Sequence, residues 1–111
     1  MANRDYLGNV ELMVMVALIR LGSDAYGVAI AREIKEVSGR EVALGSLYAA
    51  LERLENKGVV SSVLVESTPE RGGRAKRYFS VTTKGLREVR TTQRALTKLW
   101  QGLPQLEGRK A

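Results

Sequence analysis

Residues 45–66 read Gly-Ser-Leu-Tyr-Ala-Ala-Leu-Glu-Arg-Leu-Glu-Asn-Lys-Gly-Val-Val-Ser-Ser-Val-Leu-Val-Glu, and their period changes at Gly58. Before it, Leu47, Leu51 and Leu54 recur at helical spacing with Glu52, Arg53 and Glu55 between them, which predicts a helix over about 45–57. After it, the run from Val59 to Glu66 is β-branched and apolar, the mark of a strand. A second extended run, Lys76 to Val81, contains Tyr78 and Phe79. Between the two lies Ser67-Thr-Pro-Glu-Arg-Gly-Gly-Arg-Ala75, dense in turn formers. A short helix thus leads into a hairpin with a long, basic, glycine-hinged tip.

Towards the N-terminus, Tyr26, Ile30, Ile34 and Val37 share one face of a second periodic segment, about 25–37, which Ser23 or Asp24 can cap and Gly39 can stop. Before that, residues 10–21 form a helix with Asn9 as N-cap, Glu11 in its first turn and Gly22 as its end. Its apolar side chains occupy every face, so more than one neighbour must cover it, and a partner subunit is suggested. Towards the C-terminus, Thr82 or Thr83 can cap a last helix reaching about residue 101, where Gly102 and Pro104 end it. Helix, helix, helix, hairpin, helix is a mainly α (α+β) arrangement: a winged helix-turn-helix with a C-terminal dimerisation helix. The expected division is a DNA-binding unit over 1–82, the dimerisation helix over 83–103 and a flexible tail over 104–111.

At 111 residues and 44% hydrophobic, the chain can build the core of one domain. It has neither Cys nor His, which removes thiol catalysis, disulfides, Cys/His zinc sites and every Ser-His mechanism. No acid pair sits in an apolar setting, so no catalytic residue, metal site or cofactor is expected. The start is polar and the most apolar run, Leu12 to Ile19, is eight residues, against ~20 to span a bilayer. A cytoplasmic protein is expected. The formal charge is +6, and its position matters: residues 1–40 are neutral, 41–58 carry −1, 59–80 carry +2 and 81–111 carry +5. The surplus points to a polyanionic partner.

In a helix-turn-helix, the N-terminal residues of the second helix meet base edges in the major groove. Here those are Ser46, Tyr48 and Ala49, with amides at the helix start that favour a phosphate. The alternative is that Ser46 and Tyr48 merely help to pack a small core. The hairpin tip places Arg71, Arg74, Lys76 and Arg77 within seven residues around Gly72 and Gly73. Guanidinium groups suit phosphates and narrow minor grooves, and the glycines permit close backbone approach. A solvated hairpin kept soluble by its charges is the other reading. The candidate DNA-contacting set is Tyr26, Ser46, Tyr48, Ala49, Arg71, Gly72, Gly73, Arg74 and Lys76.

On the last helix, Leu86, Val89, Gln93, Leu96, Trp100 and Leu103 follow a 3-4 heptad spacing, with one polar residue in the seam. With Leu12, Met13 and Val16 of the first helix, Leu86, Val89, Gln93, Leu96 and Trp100 form the expected dimer interface; packing within one subunit is the alternative. Trp100, near a two-fold axis, is either an interface anchor or one wall of a slot for a small planar aromatic effector.

Taken together, Leu7-Gly8, Glu11-Leu12, Leu21-Gly22, Asp24-Ala-Tyr-Gly27, Ile30, Gly45-Ser-Leu-Tyr48, Leu51-Glu-Arg-Leu-Glu55, Lys57-Gly58, Arg71-Gly-Gly-Arg74, Lys76-Arg-Tyr78 and Thr82-x-x-Gly85 resemble the PadR family of bacterial transcriptional regulators. The resemblance runs from residue 7 to about 85. It implies a winged helix-turn-helix repressor, homodimeric through its first and last helices, on a pseudo-palindromic double-stranded DNA operator. It also implies that the helix beginning at Gly45 is the recognition helix and that Arg71 to Lys76 is the wing. The single C-terminal helix is similar to the short PadR subgroup, some of whose members bind flat drugs or phenolic compounds between subunits.

Three other classes compete. Catalysis is the weakest. A membrane-surface role would use the basic last helix, but its apolar seam is too narrow for lipid burial, so no membrane partner is expected. A nonspecific architectural DNA-binding protein is the serious competitor, separated by operator preference over random DNA at equal salt.

Overall fold

The first helix, α1 (Asn9–Leu21), buries Val14, Met15, Ala17 and Leu18, two adjacent pairs one turn apart that mark its inner side. Val16 and Ile19, at 40% and 45% exposure, lie on a side that the other described residues leave partly open. The computed structural model describes residues 7–66 and 75–106. After a 3-10 turn at Gly22–Asp24 come α2 (Gly27–Ser38), α3 (Leu44–Asn56), the strands β1 (Val60–Val65) and β2 (Lys76–Val81), and α4 (Thr83–Trp100). A final 3-10 turn, Pro104–Leu106, folds back so that Trp100 Nε1 donates to the Leu106 carbonyl at 2.6 Å. Among the described residues, no helix is long and apolar enough to cross a membrane.

The core gathers α1 with Ile30 and Ile34 of α2, Leu47, Ala50, Leu51 and Leu54 of α3, and Val59, Val60 and Phe79 of the hairpin. Spacings of three and four residues put each helical set on one face, so burial follows the sequence period. Val37, expected on the inner face of α2, is 56% exposed because it lies in the last turn of the helix, beyond the core.

Helix starts differ from the expected ones in an instructive way. At α1 the N-cap is Gly8, whose amide donates to Glu11 Oε1 at 3.4 Å, and Asn9 is already helical. Ser23 and Asp24 do not cap α2, which begins at Gly27 after Tyr26. The reason is tertiary. Tyr26 is extended, and residues 25 and 26 lie against the hairpin: the Phe79 amide donates to the Ala25 carbonyl at 2.8 Å, and Tyr26 bridges Tyr78. Helix α3 starts one residue early, at Leu44. Gly39 ends α2 with a φ of 82°, a left-handed conformation that a Cβ would strain.

The hairpin is antiparallel, in register from Val60 opposite Val81 to Val65 opposite Lys76. Helix α4 is fastened to its base. The Thr82 hydroxyl accepts from the Gly85 amide at 3.0 Å and donates to the Gly58 carbonyl at 2.8 Å, while the Thr82 amide donates to the Val59 carbonyl at 3.1 Å. A Cβ at Gly85 would collide with that same Val59 carbonyl and with Val81 and Met15. The spacing of Thr82 and Gly85 therefore has a cause: one residue caps the helix and the other lets it touch the backbone of the hairpin. Further along, Thr92 is buried and accepts from the Leu7 amide at 3.1 Å.

Candidate nucleic-acid interface

Along α3, Leu47, Ala50, Leu51 and Leu54 face the core, leaving Ser46, Tyr48 and Ala49 exposed on its first turns. No side chain caps this helix, so its first amides face outward with only the dipole's partial positive charge. Arg53, Glu55 and Lys57, towards its other end, are engaged elsewhere. Arg53 Nε donates to Glu11 Oε2 at 3.2 Å, and Lys57 Nζ donates to Glu11 Oε1 at 3.4 Å. Glu55 accepts from the Ser62 hydroxyl at 2.8 Å, and that oxygen accepts from Arg77 Nη1 at 3.1 Å. Burial raises the Glu11 carboxyl, but Arg53, the Gly8 amide and Lys57 outweigh it and hold the group below its ordinary value. The result is a helix whose leading end is neutral and hydrogen-bonding while its trailing end is tied to α1 and the hairpin.

Tyr48 is held rather than free, although 46% of it is exposed. Its ring end lies against the Cα of Gly27, the first residue of α2, where a Cβ would collide with its Oη and Cζ. Gly27 is the residue of this candidate surface that single-residue reading missed. Its only signal was its place in Asp24-Ala-Tyr-Gly27, and its role is to leave room for a tyrosine 21 positions later. Beside it, Tyr26 meets Tyr78 edge to face with centroids 5.6 Å apart, and Lys76 Nζ stands 4.2 Å over the Tyr26 ring. Such a cation–π contact is worth about 0.5–1 kcal/mol at an exposed site and leaves the ammonium N–H groups available. Tyr48, Gly27, Tyr26 and Lys76 thus make a continuous path from α3 across the start of α2 to the wing.

The remaining wing candidates, Arg71, Gly72, Gly73 and Arg74, lie outside the described residues. Of the two strand cations, Lys76 and Arg77 point to opposite faces, as successive strand residues must.

Far from this surface, α1 and α4 enclose an apolar groove of about 670 Å³. Leu12, Val16, Val89, Gln93, Leu96 and Trp100 all line it, with Ile19, Thr97 and Gln101. Met13 lines a smaller groove between α1 and α2 that shares Leu12 and Val16. Leu86 is exposed and lines neither.

A family model described as "Transcriptional regulator PadR-like family" matches residues 15–91. Among solved structures, the chain is similar to a PadR-like transcription factor from Bacteroides fragilis, with 30% identity over 81% of this chain and 82% of that one and a TM-score of 0.71. It is similar to a PadR family transcriptional regulator from Eggerthella lenta, at 25% identity, 88% and 83% coverage and a TM-score of 0.69. A PadR family transcription regulator from Clostridium difficile shares the fold, at 23% identity, 91% and 100% coverage and a TM-score of 0.74. No curated protein sequence matches the chain.

Proposed function

The chain belongs to the PadR-like family of transcriptional regulators, and from that premise we propose that it is a sequence-specific repressor, acting in the cytoplasm as a homodimer on a pseudo-palindromic operator and released by a small planar aromatic ligand. The observation that carries the reading is the neutral, exposed leading end of α3, continuous through Gly27 with the Tyr26–Lys76 pair. A helix that read only phosphates would gain from cations at that end. This one presents the hydroxyls of Ser46 and Tyr48 and the methyl of Ala49, groups suited to base edges and thymine methyls. Lys76, with Arg71 and Arg74 of the wing, supplies the phosphate contacts that fix register, and Gly72 and Gly73 allow the backbone to approach.

Dimerisation is supported by the α1–α4 groove: a monomer would leave Val16, Ile19, Leu96 and Trp100 in water. A two-fold axis there presents two copies of α3 to two half-sites. Two Trp100 rings near that axis would flank a slot for a flat molecule.

Selection of genomic fragments by the purified protein tests the reading directly. The selected site should be bound about 10³-fold or more tighter than random duplex at the same salt. Equal affinity would establish the architectural alternative. Trp100 is the chain's one tryptophan, so its fluorescence reports the slot: planar dyes or phenolic acids should quench it saturably and release the operator together.

A further inference from the structure

The outer face of α4 carries a line of cations that neither the core nor the recognition surface uses. Arg87, Arg94 and Lys98, with Thr91 between them, lie roughly 180° around the helix from Val89, Leu96 and Trp100. Arg90 flanks the line, and Lys84 stands at its head with its ammonium on the Lys57 carbonyl at 3.0 Å. From Lys84 to Lys98 the array is about 21 Å long. Arg87, Arg90, Arg94 and Lys98 are exposed, and among the described residues none has a hydrogen bond or ion pair. Glu88, the one acid of α4, has Lys84, Gly85, Thr91 and Thr92 at helical neighbour spacing and so reaches none of the four. Arg87–Arg90, Arg90–Arg94 and Arg94–Lys98 are like-charge neighbours at i+3 or i+4, an arrangement that weakens an isolated helix. Thr91, Arg94, Ala95 and Lys98 border a shallow dish of about 240 Å³, open to solvent.

We propose that this stripe is a second polyanion site that takes a segment of duplex DNA separate from the one held by α3 and the wing, so that the protein joins two duplexes. A rigid line of charge matches a linear polyanion, whose condensed counterions it would release. Three of the four cations are arginines, whose planar forks suit phosphate oxygens. A lipid surface fits less well: an interfacial helix needs cations flanking its apolar face, whereas the apolar face of α4 points the opposite way, into the groove with α1. The helix leaves the hairpin at its base, where Val60 pairs with Val81, the opposite end of the ladder from Lys76, so the stripe starts away from that proposed contact. The inference rests on the proposed duplex contacts of α3 and the wing but not on their sequence preference, since it concerns any duplex.

The test is co-capture. Beads carrying one short duplex are mixed with the full-length protein and a second, fluorescent duplex of random sequence. The native protein should retain the second duplex. The triple variant Arg87→Gln, Arg94→Gln, Lys98→Gln should retain about tenfold less, with a salt dependence flatter by roughly 0.9 per lost contact, while its affinity for a single short duplex stays the same. The double variant Arg87→Lys, Arg94→Lys keeps the charge and should keep capture, which controls for folding. No capture by the native protein, or undiminished capture by the Gln variant, overturns the proposal. So does weaker binding of the Gln variant to one long duplex without any co-capture, which would assign the stripe to DNA flanking the operator. Stripe-dependent binding to phosphatidylserine vesicles in the absence of co-capture would make the partner a membrane and overturn it equally.

Discussion

Replacing Gly27 with Ala should destabilise the protein when Tyr48 is present and stabilise it when Tyr48 is absent. The new Cβ would occupy the place of the tyrosine Oη and Cζ, so the ring must swing away. About half of Tyr48 is out of water, so roughly 100 Å² of a side chain that can bury ~150–250 Å² is at stake. At about 25 cal/mol per Å², losing that contact costs about 2.5 kcal/mol. Alanine in a helix offsets up to about 1 kcal/mol of this, because glycine is the poorer helix former. The net cost is then about 1.5 kcal/mol in the native background. With Tyr48→Ala already made there is nothing to displace, and Gly27→Ala should contribute up to about 1 kcal/mol of stability. Urea unfolding of the four proteins of this double-mutant cycle, at one protein concentration, measures the difference, with an expected coupling near 2.5 kcal/mol. Equal effects of Gly27→Ala in both backgrounds would refute the packing of Tyr48 on α2. In the native background the same substitution should also lower operator preference, because it moves a proposed base-contacting side chain.

Glu11→Gln should cost about 1–2 kcal/mol at pH 7, since it removes the negative charge and leaves one acceptor oxygen in place of the two that serve Arg53 and Lys57. The folded pKa is below the ordinary value of 4.5, so this stability is fully present above 4.5 and fades as pH falls through the lower folded value; denaturation curves of native and variant protein should converge in acid. Leu96→Glu should convert a dimer of about twice 12.2 kDa into monomer or aggregate by light scattering, because a carboxylate in the apolar groove costs several kcal/mol unless it is neutralised; a well-folded dimer would remove Leu96 from the interface. Arg71→Ala and Arg74→Ala should weaken all sequences alike, whereas Ser46→Ala should penalise the operator selectively by about 1–3 kcal/mol. Competition titrations with random duplex separate the two outcomes.

What the sequence disclosed and what it hid divide along the range of the interactions. Helix α3 and the hairpin were legible because Leu47, Leu51 and Leu54 keep helical spacing and the next residues are β-branched. The start of α2 was not. Ser23 and Asp24 are good caps locally, but Ala25 and Tyr26 are held by Phe79 and Tyr78 in a strand far along the chain. Tyr26 sits four residues before Ile30 and so mimics a helical core position. Gly27 read as neutral because glycine signals a turn, not a space reserved for a distant ring. Thr92 carried no signal at all, since its partner is a backbone amide. The exposed leading end of α3 was foreseeable from the burial of its leucines, whereas the engagement of its trailing charges by Glu11 and Ser62 required the fold.

The hydrogen bond from Phe79 to Ala25 has a consequence for the stability of the hairpin. An isolated two-stranded hairpin is marginal in water. Here β2 gains a second partner, besides β1, from a segment 54 positions earlier that leads into α2. The stability of β2 is therefore coupled to the packing of the helices. In hydrogen exchange, the Phe79 amide should open only with the cooperative unfolding of the core, while amides nearer the tip exchange through local fraying.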